Sequence, residues 1–135
     1  MKCGGETLAE GIAVKKPGNM TRPVVAQLVD DIILVSERQL EWAVGALVEQ
    51  QRVVAEGAGA AGIAAIYGNP ALFAGKKVGV VICGGNIDPR LLASILNRNM
   101  ADGGFLAPFP PDIAGGAGLV GGLFTGIGEG GGEIF

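Results

Sequence analysis

Residues 78–82, Val78-Gly79-Val80-Val81-Ile82, put no polar side chain on either face of an extended backbone. Such a run makes a strand only where both faces are covered, as in a parallel sheet between helices. The flanking sequence supplies those helices. Ser36 and Gln39 have the S-x-x-Q spacing of a capping box, and Leu40, Ala43, Val44, Leu47 and Val48 follow as one apolar stripe.

The rest of the first hundred residues continues this alternation. Arg22-Pro23 opens a helix striped by Val24, Val25, Leu28 and Val29, which ends at Asp30-Asp31. Ile32-Ile33-Leu34-Val35 reads as a strand, and Val53-Val54-Ala55 is a shorter apolar run. A helix of small residues then runs to about Tyr67 and breaks at Gly68-Asn69-Pro70. Asp88-Pro89 caps a last helix carrying Leu91, Leu92, Ile95 and Leu96. The order helix, strand, helix, helix, strand, helix predicts an α/β fold with ligands at the carboxyl ends of strands.

Composition changes after Met100. Nearly half of the chain's 25 glycines lie in residues 101–135, which show no period of 2 or 3.6. The expected organisation is a folded unit over 1–98 and a Gly-rich tail over 99–135.

Several chemistries are excluded. The sequence has no histidine, which removes Ser-His-Asp and Cys-His catalysis and His-ligated metal sites. Cys3 and Cys83 have no metal-binding or disulfide-framework spacing, so no metal is expected and a reducing cytoplasm is the simplest setting. A net charge of −3 argues against nucleic acid, and no apolar run reaches the ~20 residues of a membrane span.

The stretch Glu56-Gly57-Ala58-Gly59-Ala60-Ala61-Gly62 contains GxGxxG between a short apolar run and a helix, the setting of a dinucleotide fingerprint. A Rossmann-like nucleotide module on Gly57, Gly59 and Gly62 is therefore one alternative. Against it, the next strand ends Ile82-Cys83-Gly84 with no acid for a ribose, and Glu56 puts negative charge where phosphate would sit.

Three blocks carry a different message. TLAEGIAVKKPG (7–18), VVAEGAGAAGIAA (53–65) and VGVVICGGNID (78–88), with the intervening LVDDIILVSERQLEWAVGALVEQQRVV, resemble the threonine dehydratase family in order and spacing. That family comprises pyridoxal-phosphate (PLP) enzymes of the tryptophan-synthase β-like fold type II, related to serine dehydratase and serine racemase. The resemblance spans roughly residues 4–98 and matches the C-terminal part of the catalytic domain. It implies a partial three-layer parallel or mixed sheet with flanking helices.

The resemblance also implies site residues. Gly11 matches a glycine whose bare backbone lies against the PLP ring, where a Cβ would intrude. Glu56 matches a glutamate near the ring. Cys83 matches the position whose hydroxyl or thiol faces the pyridine nitrogen. Such a thiol, with an ordinary pKa of about 8.5, hydrogen-bonds the nitrogen without keeping it protonated. Gly84, with Gly85 and Asn86, makes the turn that brings Cys83 to the cofactor. Each has a plainer reading: a loop glycine at Gly11, an acid favoured by a helix dipole at Glu56, a buried structural cysteine at Cys83.

None of Lys2, Lys15, Lys16, Lys76 and Lys77 stands in the family's Ser-Phe-Lys setting, so the Schiff-base lysine is not expected in this chain and no catalytic residue is assigned. The expectation is a lyase portion acting on L-threonine, giving 2-oxobutanoate and ammonia, and inactive alone. A serine dehydratase or racemase fragment is a second alternative. The expected partners are an amino-acid substrate, the missing N-terminal half of the enzyme and, in the complete enzyme, further copies of itself. A fragment, a split enzyme or a shifted reading frame would each give such a chain, and the tail faintly resembles the start of an ACT-like regulatory domain.

Overall fold

A computed structural model describes residues 6–101. The Gly-rich tail, its ACT-like reading, Lys2 and Cys3 therefore lie outside the described residues, apart from residues 99–101.

The helices form where their signals stand. α1 spans Thr21–Leu28, α2 Glu37–Ala46, α3 Gly57–Gly68, α4 Pro70–Phe73 and α5 Pro89–Ala101. At the start of α2 the Ser36 hydroxyl accepts from Gln39 N–H, and the Gln39 side chain accepts from Ser36 N–H at 2.7 Å. Both orphan donors of the capping box are thereby satisfied. Asp88 Oδ1 accepts from the backbone N–H groups of Arg90 and Leu91 at 2.8 and 3.0 Å, the capping geometry expected before α5. α2 runs on into a π-helical turn, Leu47–Gln51, that closes at Arg52 in the left-handed region with φ 59°.

The core is helix against helix. Leu40, Ala43, Val44 and Leu47 from α2 and its continuation pack on Ala60, Ile63 and Ala64 of α3, and Ile95 of α5 completes the cluster. Leu40, Val44, Leu47 and Ile95 are fully buried, each contributing about 1.5–3 kcal/mol. The small residues of α3 allow close approach to α2. Beside this core the Trp42 and Tyr67 rings stack, centroids 3.8 Å apart and planes at 11°.

Arg98 of α5 grips Glu41 of α2 through two nitrogens, at 2.8 and 3.0 Å, while Asn99 Nδ2 donates to the Glu41 carbonyl at 3.0 Å. The hydrogen bond to Glu41, more than its bare charge, raises the Arg98 pKa above its ordinary value. That contribution is fully present below the unfolded pKa and is lost only as pH rises through the higher folded value, so it is constant across neutral pH.

No strand forms among the described residues, and the expected sheet is not seen there. The apolar runs 32–35 and 78–82 nonetheless alternate in burial as strand residues do. Val35, Val80 and Ile82 pack against the helical core. Ile32, Leu34 and Val81 stand 70%, 79% and 85% exposed. A strand ladder needs at least one paired neighbour, and these runs have none among the described residues.

Candidate functional site

The start of α3 gathers the site residues expected from sequence. Glu56 is its N-cap residue, with extended backbone, and its N–H donates to the Gly84 carbonyl at 3.0 Å. This one bond ties the approach to α3 to the turn after the 78–82 run. Gly84 has φ +72°, a conformation open to glycine at little cost. A Cβ built on it would overlap the Glu56 carboxylate, lying 2.7 Å from Cδ.

Gly11 comes to the same carboxylate. Its ideal Cβ would stand 3.6 Å from Glu56 Oε1 and 3.2 Å from Ala58 Cβ. Gly11 belongs to a 3-10 turn, Glu10–Ile12, and is exposed. Cys83, adjoining Gly84, is a free and exposed cysteine, so the reading of it as a buried structural residue does not hold. The structure thus brings Gly11, Glu56 and Gly84 together around one carboxylate, with Cys83 next to Gly84 in the chain.

The three glycines of the GxGxxG stretch face protein. A Cβ on Gly57 would run into the Leu8 carbonyl carbon at 2.6 Å, and one on Gly59 would overlap the Cys83 carbonyl group. One on Gly62 would meet Val80 Cγ1 at 2.6 Å. Bare backbone here lets α3 lie against two loops and the 78–82 run, the packing role that glycine serves at close approaches.

A second device was not legible in sequence. Thr7 Oγ1 donates to Glu37 Oε1, and Leu8 N–H donates to Glu37 Oε2 at 2.8 Å. Thr7 Oγ1 also accepts from Ala9 N–H at 3.2 Å. These partners lie about thirty positions apart along the chain, and no local pattern links them.

Among the described residues, no group of three or more His, Cys, Asp or Glu could hold a metal ion, and no helix is long and apolar enough to cross a membrane.

The family model described as pyridoxal-phosphate dependent enzyme matches residues 2–84. An L-threonine ammonia-lyase of Thermotoga maritima is 45% identical over 115 residues, covering 83% of this chain and 28% of that protein. An L-threonine ammonia-lyase of Geobacter sulfurreducens is 40% identical over 98 residues, covering 73% of this chain and 24% of that protein. The L-threonine dehydratase catabolic TdcB of Escherichia coli K12 is 44% identical over 84 residues, covering 61% and 26%. The chain spans about a quarter of the length of these relatives.

Proposed function

From its place in the pyridoxal-phosphate dependent enzymes, a family to which this chain belongs through the threonine dehydratases of fold type II, we propose that it is the C-terminal part of a threonine dehydratase catalytic domain. The reaction is conversion of L-threonine to 2-oxobutanoate and ammonia. The observation that carries the reading is the convergence of Gly11 and Gly84 on the Glu56 carboxylate, with the exposed Cys83 adjoining Gly84 in the chain.

That corner suits a flat, hydrogen-bonding ring. Gly11 and Gly84 are exposed, and their bare backbones lie close to the Glu56 carboxylate. Cys83 adds a group able to donate or accept one hydrogen bond. In the complete enzyme Gly11, Glu56 and Cys83 would hold the ring, with Gly11 supplying bare backbone, Glu56 a neighbouring carboxylate and Cys83 a hydrogen-bonding partner for the pyridine nitrogen, and Gly84 would turn the backbone for Cys83. When bound, PLP supplies an electron sink for charge developing at the substrate Cα. Cys83 tunes that sink downward: a thiol leaves the ring nitrogen unprotonated, where an aspartate would hold a proton on it. A weaker sink suits elimination, because the β-hydroxyl departs before charge accumulates.

Residues 1–98 form this portion of the catalytic domain and 99–135 a separate tail. The runs 32–35, 53–55 and 78–82 become strands in the complete domain, paired with upstream polypeptide. The exposed Ile32, Leu34, Val54 and Val81 side chains support this, because a three-layer fold covers both faces of its sheet. The lysine that binds the cofactor also comes from that polypeptide, so the chain alone is inactive. The complete enzyme is a homo-oligomer acting on a free amino acid.

Co-expression with the upstream part of the Thermotoga maritima relative tests the proposal. The expected complex takes up PLP, gains its visible absorbance and releases 2-oxobutanoate from L-threonine. A stable complex with neither PLP absorbance nor product overturns the proposal.

A further inference from the structure

Glu37 sits at the first turn of α2, away from the Glu56 corner, yet both its carboxylate oxygens are engaged by the loop leading to Gly11. Thr7 Oγ1 and Leu8 N–H bind one oxygen each, and Thr7 passes the tie on by accepting from Ala9 N–H. The next residues are then laid over α3: the Leu8 carbonyl fills the space beside Gly57, and Gly11 reaches Ala58 and Glu56. Bonds to an ionised acceptor are the stronger kind, and the carboxylate holds a main-chain donor as well as a side chain. The geometry points to Glu37 as a positioning residue that sets the depth of the Gly11 loop, and through it the fit of the PLP ring. This rests on the proposed function, in which Gly11 meets the ring.

A capping role alone predicts something different. Ser36 and Gln39 already satisfy the box at the start of α2, and a first-turn acid adds only a modest dipole term. Loss of such a term lowers stability and leaves cofactor affinity alone. A positioning role moves the affinity.

The test uses Glu37→Gln, which keeps the shape and removes the charge, and Thr7→Val, which removes the hydroxyl. Glu41→Ala serves as a control that breaks the Arg98 pair on the same helix. Hydrogen exchange at Leu8 and Ala9 is read on the full chain, and PLP affinity on the complex with the upstream polypeptide. The expected result is faster exchange at both amides and PLP binding weakened about tenfold in Glu37→Gln and Thr7→Val, the scale of one charge-assisted hydrogen bond. Glu41→Ala is expected to lower the melting temperature with PLP affinity unchanged. Unchanged affinity in both loop variants, with or without faster exchange, overturns the assignment. Failure of the unsubstituted complex to bind PLP overturns the functional reading itself, and is seen before any substitution is made.

Discussion

The carboxylate of Glu56 occupies the space that a side chain on Gly84 would need, and the same two residues are joined by the Glu56 N–H to Gly84 carbonyl bond. Gly84→Ala therefore meets two penalties: a left-handed φ of +72°, costing a non-glycine residue about 1–2 kcal/mol, and displacement of the carboxylate. Urea unfolding of the chain is expected to show a loss of about 1–3 kcal/mol, and the complex with upstream polypeptide to bind PLP more weakly. Wild-type stability in this variant would mean that the Glu56 side chain has another resting place.

Gly11→Ala separates stability from function at the same corner. Its Cβ would sit 3.2 Å from Ala58 Cβ and 3.6 Å from Glu56 Oε1, distances met by a shift of a few tenths of an ångström. The loop is exposed, so the unfolding free energy is expected to stay within about 0.5 kcal/mol of the parent. PLP affinity of the complex is expected to fall about tenfold, because the shift that makes room for the methyl group beside Ala58 moves the Gly11 backbone away from the ring. An unchanged affinity assigns Gly11 to ordinary loop geometry.

Gly59 and Gly62 differ in what they touch, and so in what an added methyl costs. On Gly59 it would overlap the backbone carbonyl of Cys83, which cannot move without shifting the whole 83–84 turn. Gly59→Ala is expected to lose at least the ~3 kcal/mol of severe overpacking. On Gly62 it would meet only Val80 Cγ1, and alanine's helix preference of about 1 kcal/mol over glycine offsets the crowding. Thermal melts of the two variants should differ widely, the Gly59 variant melting first.

The helices were legible because their signals are local. Ser36 and Gln39 form the expected box, Asp88 caps α5, and the stripe from Leu40 to Leu47 is the buried face of α2. The sheet was inferred from residues such as Val80 and Ile82, whose inner sides do pack on the core, but strand pairing depends on partners elsewhere in sequence. At the site, Gly11, Glu56 and Gly84 are singled out by the family resemblance, and in the structure the three are neighbours. What no local pattern announced were the ties across distant segments: Thr7 and Leu8 to Glu37, Arg98 to Glu41, Trp42 on Tyr67. Each joins side chains that only the folded chain makes neighbours.

The exposed sides of the apolar runs carry a prediction about association. Leu34 and Val81 are large apolar side chains left in solvent by segments with no strand partner among the described residues, a combination that favours aggregation. Leu34→Lys with Val81→Lys is expected to make the isolated chain more soluble, with its melting temperature little changed because neither side chain belongs to the core. Light scattering across a concentration series checks this. In the complex the same pair is expected to prevent assembly, since two ammonium groups would be buried unpaired in a sheet face.

Cys83 provides the sharpest chemical test, because it is exposed and its side chain can change at little structural cost. If its role is one hydrogen bond to the pyridine nitrogen, Cys83→Ser retains a donor and acceptor at the same place and keeps most of the activity of the complex. Cys83→Ala removes the bond, worth about 1 kcal/mol, and is expected to slow 2-oxobutanoate formation about fivefold with unfolding unaltered. Cys83→Asp goes further: an ionised carboxylate keeps the nitrogen protonated and strengthens the electron sink. Charge at Cα then persists longer, so exchange of the α-proton with solvent is expected to rise relative to elimination. The ratio of deuterium incorporated into recovered threonine to 2-oxobutanoate formed measures that shift. An equal ratio in the serine and aspartate variants would show that the residue at position 83 does not reach the ring.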